Sequence, residues 1–203
     1  MKTDPHEGMN TPWGRADNIR RLADGIWFVG TPGHGGLKLS ASLNKKMPQV
    51  VRTPGGWYEE DLAYNWVVVM FPELIERGLV SGTLEEAHQS LRDWFPTEYE
   101  KVFNTKLTSS QSRELRENLF KSEHADDWVV VSAESRSSWN PQVPDGMLLV
   151  TCQPAGRAHT RGAPVRHFLV PSDDYQDSKL RTPIGFICDP SPRSQPYEEV
   201  LVR

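Results

Sequence analysis

Hydrophobic texture changes twice along the chain. "GIWFVGT" (residues 25–31) is a β-branched and aromatic run that ends where Pro32 removes a backbone donor. Beyond it Leu37 and Leu39 alternate with Lys38 and Ser40. The pattern predicts a hairpin of two strands with a glycine-rich tip, preceded by a short helical turn over residues 15–22. From residue 57 the period lengthens: Tyr58, Leu62, Trp66 and Val69 fall on one face at helical spacing. Glu59, Glu60 and Asp61 then fill a first turn, where carboxylates interact favourably with the macrodipole. A helix is predicted here, although the apolar run at 66–71 also fits a buried strand. Pro72 kinks this helix or opens a second one that ends before Gly78. Thr83 with Glu86 has capping-box spacing ahead of Ala87, Leu91 and Trp94. Pro96 opens a turn through Tyr99 and Phe103, and Thr108 with Gln111 repeats the capping pattern before Leu115, Leu119 and Phe120.

After "HADD" (124–127), a turn that ends the last helix, short β-rich runs take over: "WVVVSAES", "MLLVTCQ", "RHFLVP" and "IGFICDP". Their short connections favour antiparallel neighbours, because parallel strands need longer crossovers. The fold class is α+β: an N-terminal β-hairpin, a central helical segment and a C-terminal antiparallel β-meander. Residues 1–12 read as a flexible lead, 13–190 as one α+β domain and 191–203 as an extended tail.

Composition narrows the class further. The chain has 37% hydrophobic and 25% charged residues with seven tryptophans, the make-up of a folded protein. Trp57, Trp66, Trp94 and Trp128 sit on predicted buried faces. A net charge of -4 gives no general attraction to nucleic acid. No apolar run reaches spanning length, so a cytoplasmic protein without a membrane partner is expected. Cys152 and Cys188 are expected as buried free thiols.

Several blocks, in their order, resemble an uncharacterised bacterial plasmid and phage family: Trp13-Gly14, "TPGHGGLKLS", "GGWYEEDLA", "DWFP", "HADDWVVVSA", "RHFLVPSDDY" and "FICDP". The resemblance runs from residue 13 to 190, and its most specific blocks are 31–40 and 56–61. Members of that family are sometimes attached to antirestriction-type proteins. The resemblance implies an accessory protein of a phage or mobile element and supplies no catalytic residue.

Candidate chemistry centres on His34. Three glycines beside it leave backbone N–H groups able to meet an anion, with the imidazole as acid, base or ligand. The plainer alternative is a hairpin connection whose glycines serve backbone geometry. His34, Glu60 and Asp61 are the candidate catalytic residues; Thr31, Gly33, Gly35, Gly36, Tyr58 and Glu59 are candidate ligand contacts, with Tyr58 as a hydrogen-bonding wall. No metal-type histidine spacing occurs and no cofactor is expected, a divalent ion on His34 and one or two carboxylates being the weaker alternative. Arg157, Arg161 and Arg166, with Trp139 in a separate loop, are candidate anion or partner contacts.

Two functions remain open. One is a non-enzymatic accessory protein that binds a host factor, in counter-defence. The other is a small enzyme, or a sequestering binder of an anionic small molecule, built from the His34 loop and a helix start at Glu59, Glu60 and Asp61. Oligomeric state leaves no signature in the sequence.

Overall fold

Strand pairing dominates residues 10–39. A computed structural model describes residues 4–137, 140–193 and 195–201. Residue contacts gather into two compact units, Met1–Glu114 and Leu115–Arg203, within the span that composition reads as a single domain.

The first unit opens with β1 (Asn10–Thr11) and β2 (Gly14–Arg15), which pair with each other. β3 (Asn18–Ala23), β4 (Ile26–Gly30) and β5 (Gly35–Leu39) follow, then α1 (Ala41–Lys46) and β6 (Trp57–Glu59). β3 to β6 form a four-stranded antiparallel sheet in sequence order. The helical turn expected at 15–22 is therefore mostly strand: Ile19 lies opposite Val29 and Arg20 opposite Phe28, because β4 offers an unpaired edge that a single turn of helix does not satisfy.

Both faces of this sheet are covered. Ile26, Leu37 and Leu39 point into the main core with Tyr58, Trp66, Val67, Leu74 and Leu91. Trp27 and Val29 point the other way and pack with Ala16, Met9, Ile19 and Trp57. This second cluster orders part of the predicted lead, where Gly8 N–H donates to the Ala16 carbonyl at 2.8 Å and Ala16 N–H to that of Met9 at 3.0 Å.

The helices are α2 (Tyr64–Met70), α3 (Glu73–Glu76), α4 (Leu84–Trp94), α5 (Pro96–Phe103) and α6 (Arg113–Glu123), which begins at the boundary between the units. The segment from 57 departs from expectation. Trp57, Tyr58 and Glu59 pair with Lys38, Leu37 and Gly36 as the edge strand β6, and helix starts only at Tyr64. Glu59, Glu60 and Asp61 thus precede the helix instead of filling its first turn, and the macrodipole role falls away. Sheet pairing overrode the helical pattern that Tyr58 shares with Leu62, Trp66 and Val69.

Thr83 caps α4 as its spacing predicts, accepting from Glu86 N–H at 3.1 Å while the Glu86 carboxylate accepts from Thr83 N–H at 2.7 Å. The second box, at Thr108 and Gln111, closes on a 3₁₀ turn ahead of α6. Trp94 departs from its expected burial: it is exposed, with the Arg113 guanidinium 4.8 Å from its ring centre.

In the second unit β7 (Trp128–Ser135), β8 (Met147–Pro154) and β9 (Arg166–Pro171) run as a meander. After α7 (Ser172–Gln176) come β10 (Arg181–Thr182), β11 (Gly185–Asp189) and β12 (Glu198–Val200). β11 returns to pair with β7 and β12 pairs with β9, giving the order β10-β11-β7-β8-β9-β12. One cluster gathers Val130, Val150, Cys152, Phe168, Val170, Phe186 and Cys188. Another joins Val129 and Ala155 to Phe120 of α6. Both cysteines are buried and free, and the neighbouring Cys188 together with burial pushes the Cys152 thiol up. The molecule is an α+β protein, and among the described residues no helix is long and apolar enough to cross a membrane.

Candidate functional site

The turn between β4 and β5 is tied by its own residues. Thr31 N–H donates to the His34 carbonyl at 2.7 Å, the Thr31 hydroxyl donates to the same carbonyl at 2.8 Å, and His34 N–H donates back to that hydroxyl at 3.2 Å. Thr31 thereby fixes the turn, and it also lines the hollow beside His34. Its hydrogen bonds leave the exposed His34 ring at the tip, with no described residue bonded to either ring nitrogen.

The glycines do a different job from the one their number suggests. None of Gly33, Gly35 and Gly36 has a positive φ. Gly35 and Gly36 are buried strand residues opposite Gly30 and Val29, so their backbone serves the sheet and not an anion. What they supply is absence of bulk. A Cβ at Gly35 would stand 2.7 Å from Glu60 Oε2 and 3.0 Å from the edge of the Phe28 ring. One at Gly36 would overlap the Tyr58 carbonyl oxygen and come 2.5 Å from the Trp13 ring. Gly33 meets nothing within 4 Å.

β6 brings the carboxylates to this place. Glu59 lies opposite Gly36, and Glu60 N–H donates to the Gly35 carbonyl at 3.0 Å. A ring nitrogen of His34 and one carboxylate oxygen each from Glu59 and Glu60 consequently lie within 4.8 Å of one another. Glu59 Oε2 accepts from Asp61 N–H at 3.0 Å. Its other oxygen, Oε1, is shut away from solvent and has no hydrogen-bond partner. His34 and Glu60 border an open hollow of about 330 Å³ whose wall also includes Asp17, Asn18, Phe28 and Thr31, with Glu59 within 4.8 Å of both.

Other expected site residues are placed elsewhere. Asp61 is exposed and lines a neighbouring hollow of about 320 Å³ with Tyr64, Asn65, Thr83 and Ser90, outside the three-residue group. Tyr58 is not a wall of the His34 hollow, because strand alternation turns it into the core. There its hydroxyl donates to Asn44 Oδ1 at 2.7 Å and accepts from Thr53 N–H at 3.4 Å, and burial raises its pKa. Arg166 is not an open anion contact: it meets Asp189 at 2.5 Å and both oxygens of Glu199 at 2.6 and 2.7 Å, with its guanidinium 4.9 Å from the Trp128 and Phe168 ring centres. Arg157 and Arg161 are exposed. Trp139 lies outside the described residues.

Sequence reasoning put Glu59 among ligand contacts but gave no sign of its buried oxygen. Asp17 was missed altogether, since the only signal, an acid just before β3, is indistinguishable from a solvated charge.

An α+β protein with a histidine and two glutamates gathered at the end of its first sheet is the class that fold and geometry define. Residues 6–125 match the model of a family described as a domain of unknown function, DUF7007, and the chain belongs to that family. The match contains His34, Glu59 and Glu60, together with all of the first sheet. No curated protein and no solved structure matches the chain.

Proposed function

We propose that the protein binds and acts on a small molecule in the hollow at the tip of the first hairpin, with His34 as the acid–base group and Glu60 as its acidic partner. The observation that carries this reading is the convergence of His34, Glu59 and Glu60 beside an open hollow. A general acid–base pair needs groups within hydrogen-bond reach of one reacting atom or of a water, and a spread under 4.8 Å meets that need. His34 sits in the hydrogen-bonded turn between β4 and β5 and Glu60 directly follows β6, so paired strands position both groups. Glu59, Glu60 and Asp17 oppose a bare anion here, so the hollow favours neutral or cationic groups, or an anion that arrives with a cation. Screening of small molecules by thermal shift, wild type against H34A, tests the reading: ligands that stabilise only the wild type support it. Ligands that stabilise both equally place binding elsewhere.

A second reading is a phage or mobile-element accessory protein that binds a host factor in the cytoplasm as a counter-defence. It draws on the family resemblance and on the connection after β8, where Arg157, Arg161 and Val165 are exposed together along a short stretch. Affinity capture from bacterial lysate tests it. A defined protein retained by the wild type and lost with R157E/R161E supports the reading, and equal capture by both removes it.

A further inference from the structure

We propose that His34, Glu59 and Glu60 form a binding site for one divalent transition-metal ion of the zinc, manganese or ferrous class. The inference rests on the reading of this hollow as the working site and names the ion that organises it.

Three observations carry it. The first is the donor set. One imidazole nitrogen and two carboxylate oxygens suit zinc, manganese or ferrous iron, whereas calcium and magnesium prefer oxygen alone and cuprous copper prefers sulfur. The second is the spacing. Donors at about 2.0–2.2 Å from a common ion are roughly 3 to 4.4 Å apart, and the spread here, within 4.8 Å, lies near that range. No described residue bonds the His34 ring nitrogens, so no contact has to break for that ring to turn.

The third observation is independent of the grouping. Glu59 Oε1 is cut off from solvent and accepts no hydrogen bond. A carboxylate oxygen removed from water without a partner is costly, and a cation or a proton is what removes the cost. Glu60 lies within 4.8 Å of Glu59 and His34, and Asp17 lines the hollow with Glu60, so a cation there answers more than one carboxylate. Three protein ligands leave at least one position for water or substrate, the arrangement of a reactive and not a purely structural centre. An acidic ligand would then enter bound to the metal, which reconciles an anionic substrate with an acidic hollow.

The test is titration of the full-length, chelator-treated protein with Zn²⁺, Mn²⁺ and Co²⁺, read by calorimetry and by the visible absorption of Co²⁺. The expected result is saturable binding of one ion per chain, weakened more than about tenfold by H34A and by E59Q. H34A changes an exposed turn residue, so its circular dichroism and melting temperature without metal should equal those of the wild type. Absence of saturable binding in the wild type, or binding that H34A and E59Q leave unchanged, overturns the inference. The two proposals fail separately. A small molecule that binds the metal-free protein through His34 keeps the functional reading and removes the metal from it; an ion that binds while no small molecule does keeps the metal alone.

Discussion

The Glu60 carboxylate occupies the space where a side chain at Gly35 would begin, with Oε2 2.7 Å from the position of a Cβ there. Gly35 is thus a mould for Glu60. We expect G35A to displace that carboxylate and to weaken divalent-ion binding more than about tenfold, as E60A does. The G35A/E60A double variant should bind no worse than E60A, since the two changes remove the same interaction. Part of the stability lost in G35A should return in the double variant, and calorimetry with thermal melts of all four proteins checks both statements.

The neighbouring glycine holds the sheet together. A methyl at Gly36 would collide with the Tyr58 backbone and with the Trp13 ring, neither of which can turn aside alone. G36A should destabilise the protein by about 3 kcal/mol or more. G33A, at a position with ordinary φ and nothing within 4 Å, should stay within about 0.5 kcal/mol of wild type. Urea unfolding of the two variants side by side measures the contrast.

His88 makes the first unit sensitive to mild acid. Its ring shares a hydrogen bond of 3.1 Å with the Tyr99 hydroxyl and sits 5.3 Å from the Phe103 ring. Burial first, and then the Arg92 charge, hold its pKa below the ordinary value, with Glu85 opposing them. The unfolded chain therefore binds a proton on this group more readily than the folded one. Stability should be complete above pH ~6.5 and fall as the pH drops below that value toward the depressed folded pKa. H88Q should flatten the decline between pH 7 and 5, as denaturant midpoints across that range will read.

Arg166 ties β12 to the sheet. Its fork meets both Glu199 oxygens while its remaining nitrogen meets Asp189, and the same guanidinium holds the Glu199 carboxyl below the usual range. We expect R166A to raise amide hydrogen exchange at residues 198–200 with little change in β7 and β8. R166K should repair this only in part, because an ammonium cannot make the two-pronged contact. In the wild type the tie should hold above the ordinary carboxylate pKa of ~4.3 and loosen as the pH falls through the lowered pKa of Glu199. Exchange measured by mass spectrometry at two pH values checks both parts.

Much of this protein is written in local sequence. The capping box of Thr83 and Glu86, the hydrophobic run of β4 and the β-rich segments after residue 127 specify their elements because each signal acts over a few neighbouring residues. The α+β class follows from their order, and His34 stood out because an imidazole between glycines invites a chemical question. Local signals stop at positions where two structures fit one pattern. Tyr58 fits helical spacing with Leu62, Trp66 and Val69, yet β5 carried an open edge that only pairing across some twenty residues could satisfy, and helix gave way to strand at residues 57–59. That long-range choice reversed the meaning of the carboxylates, from capping charges to groups that meet His34 around the strand ends. It also turned Tyr58 into the core and gave Gly35 and Gly36 their role, since closeness between distant segments has no trace in composition. The sequence determined which elements and which reactive residues exist; the folded chain alone decided which of them share a hollow, because proximity in space is set by sheet register and not by spacing along the chain.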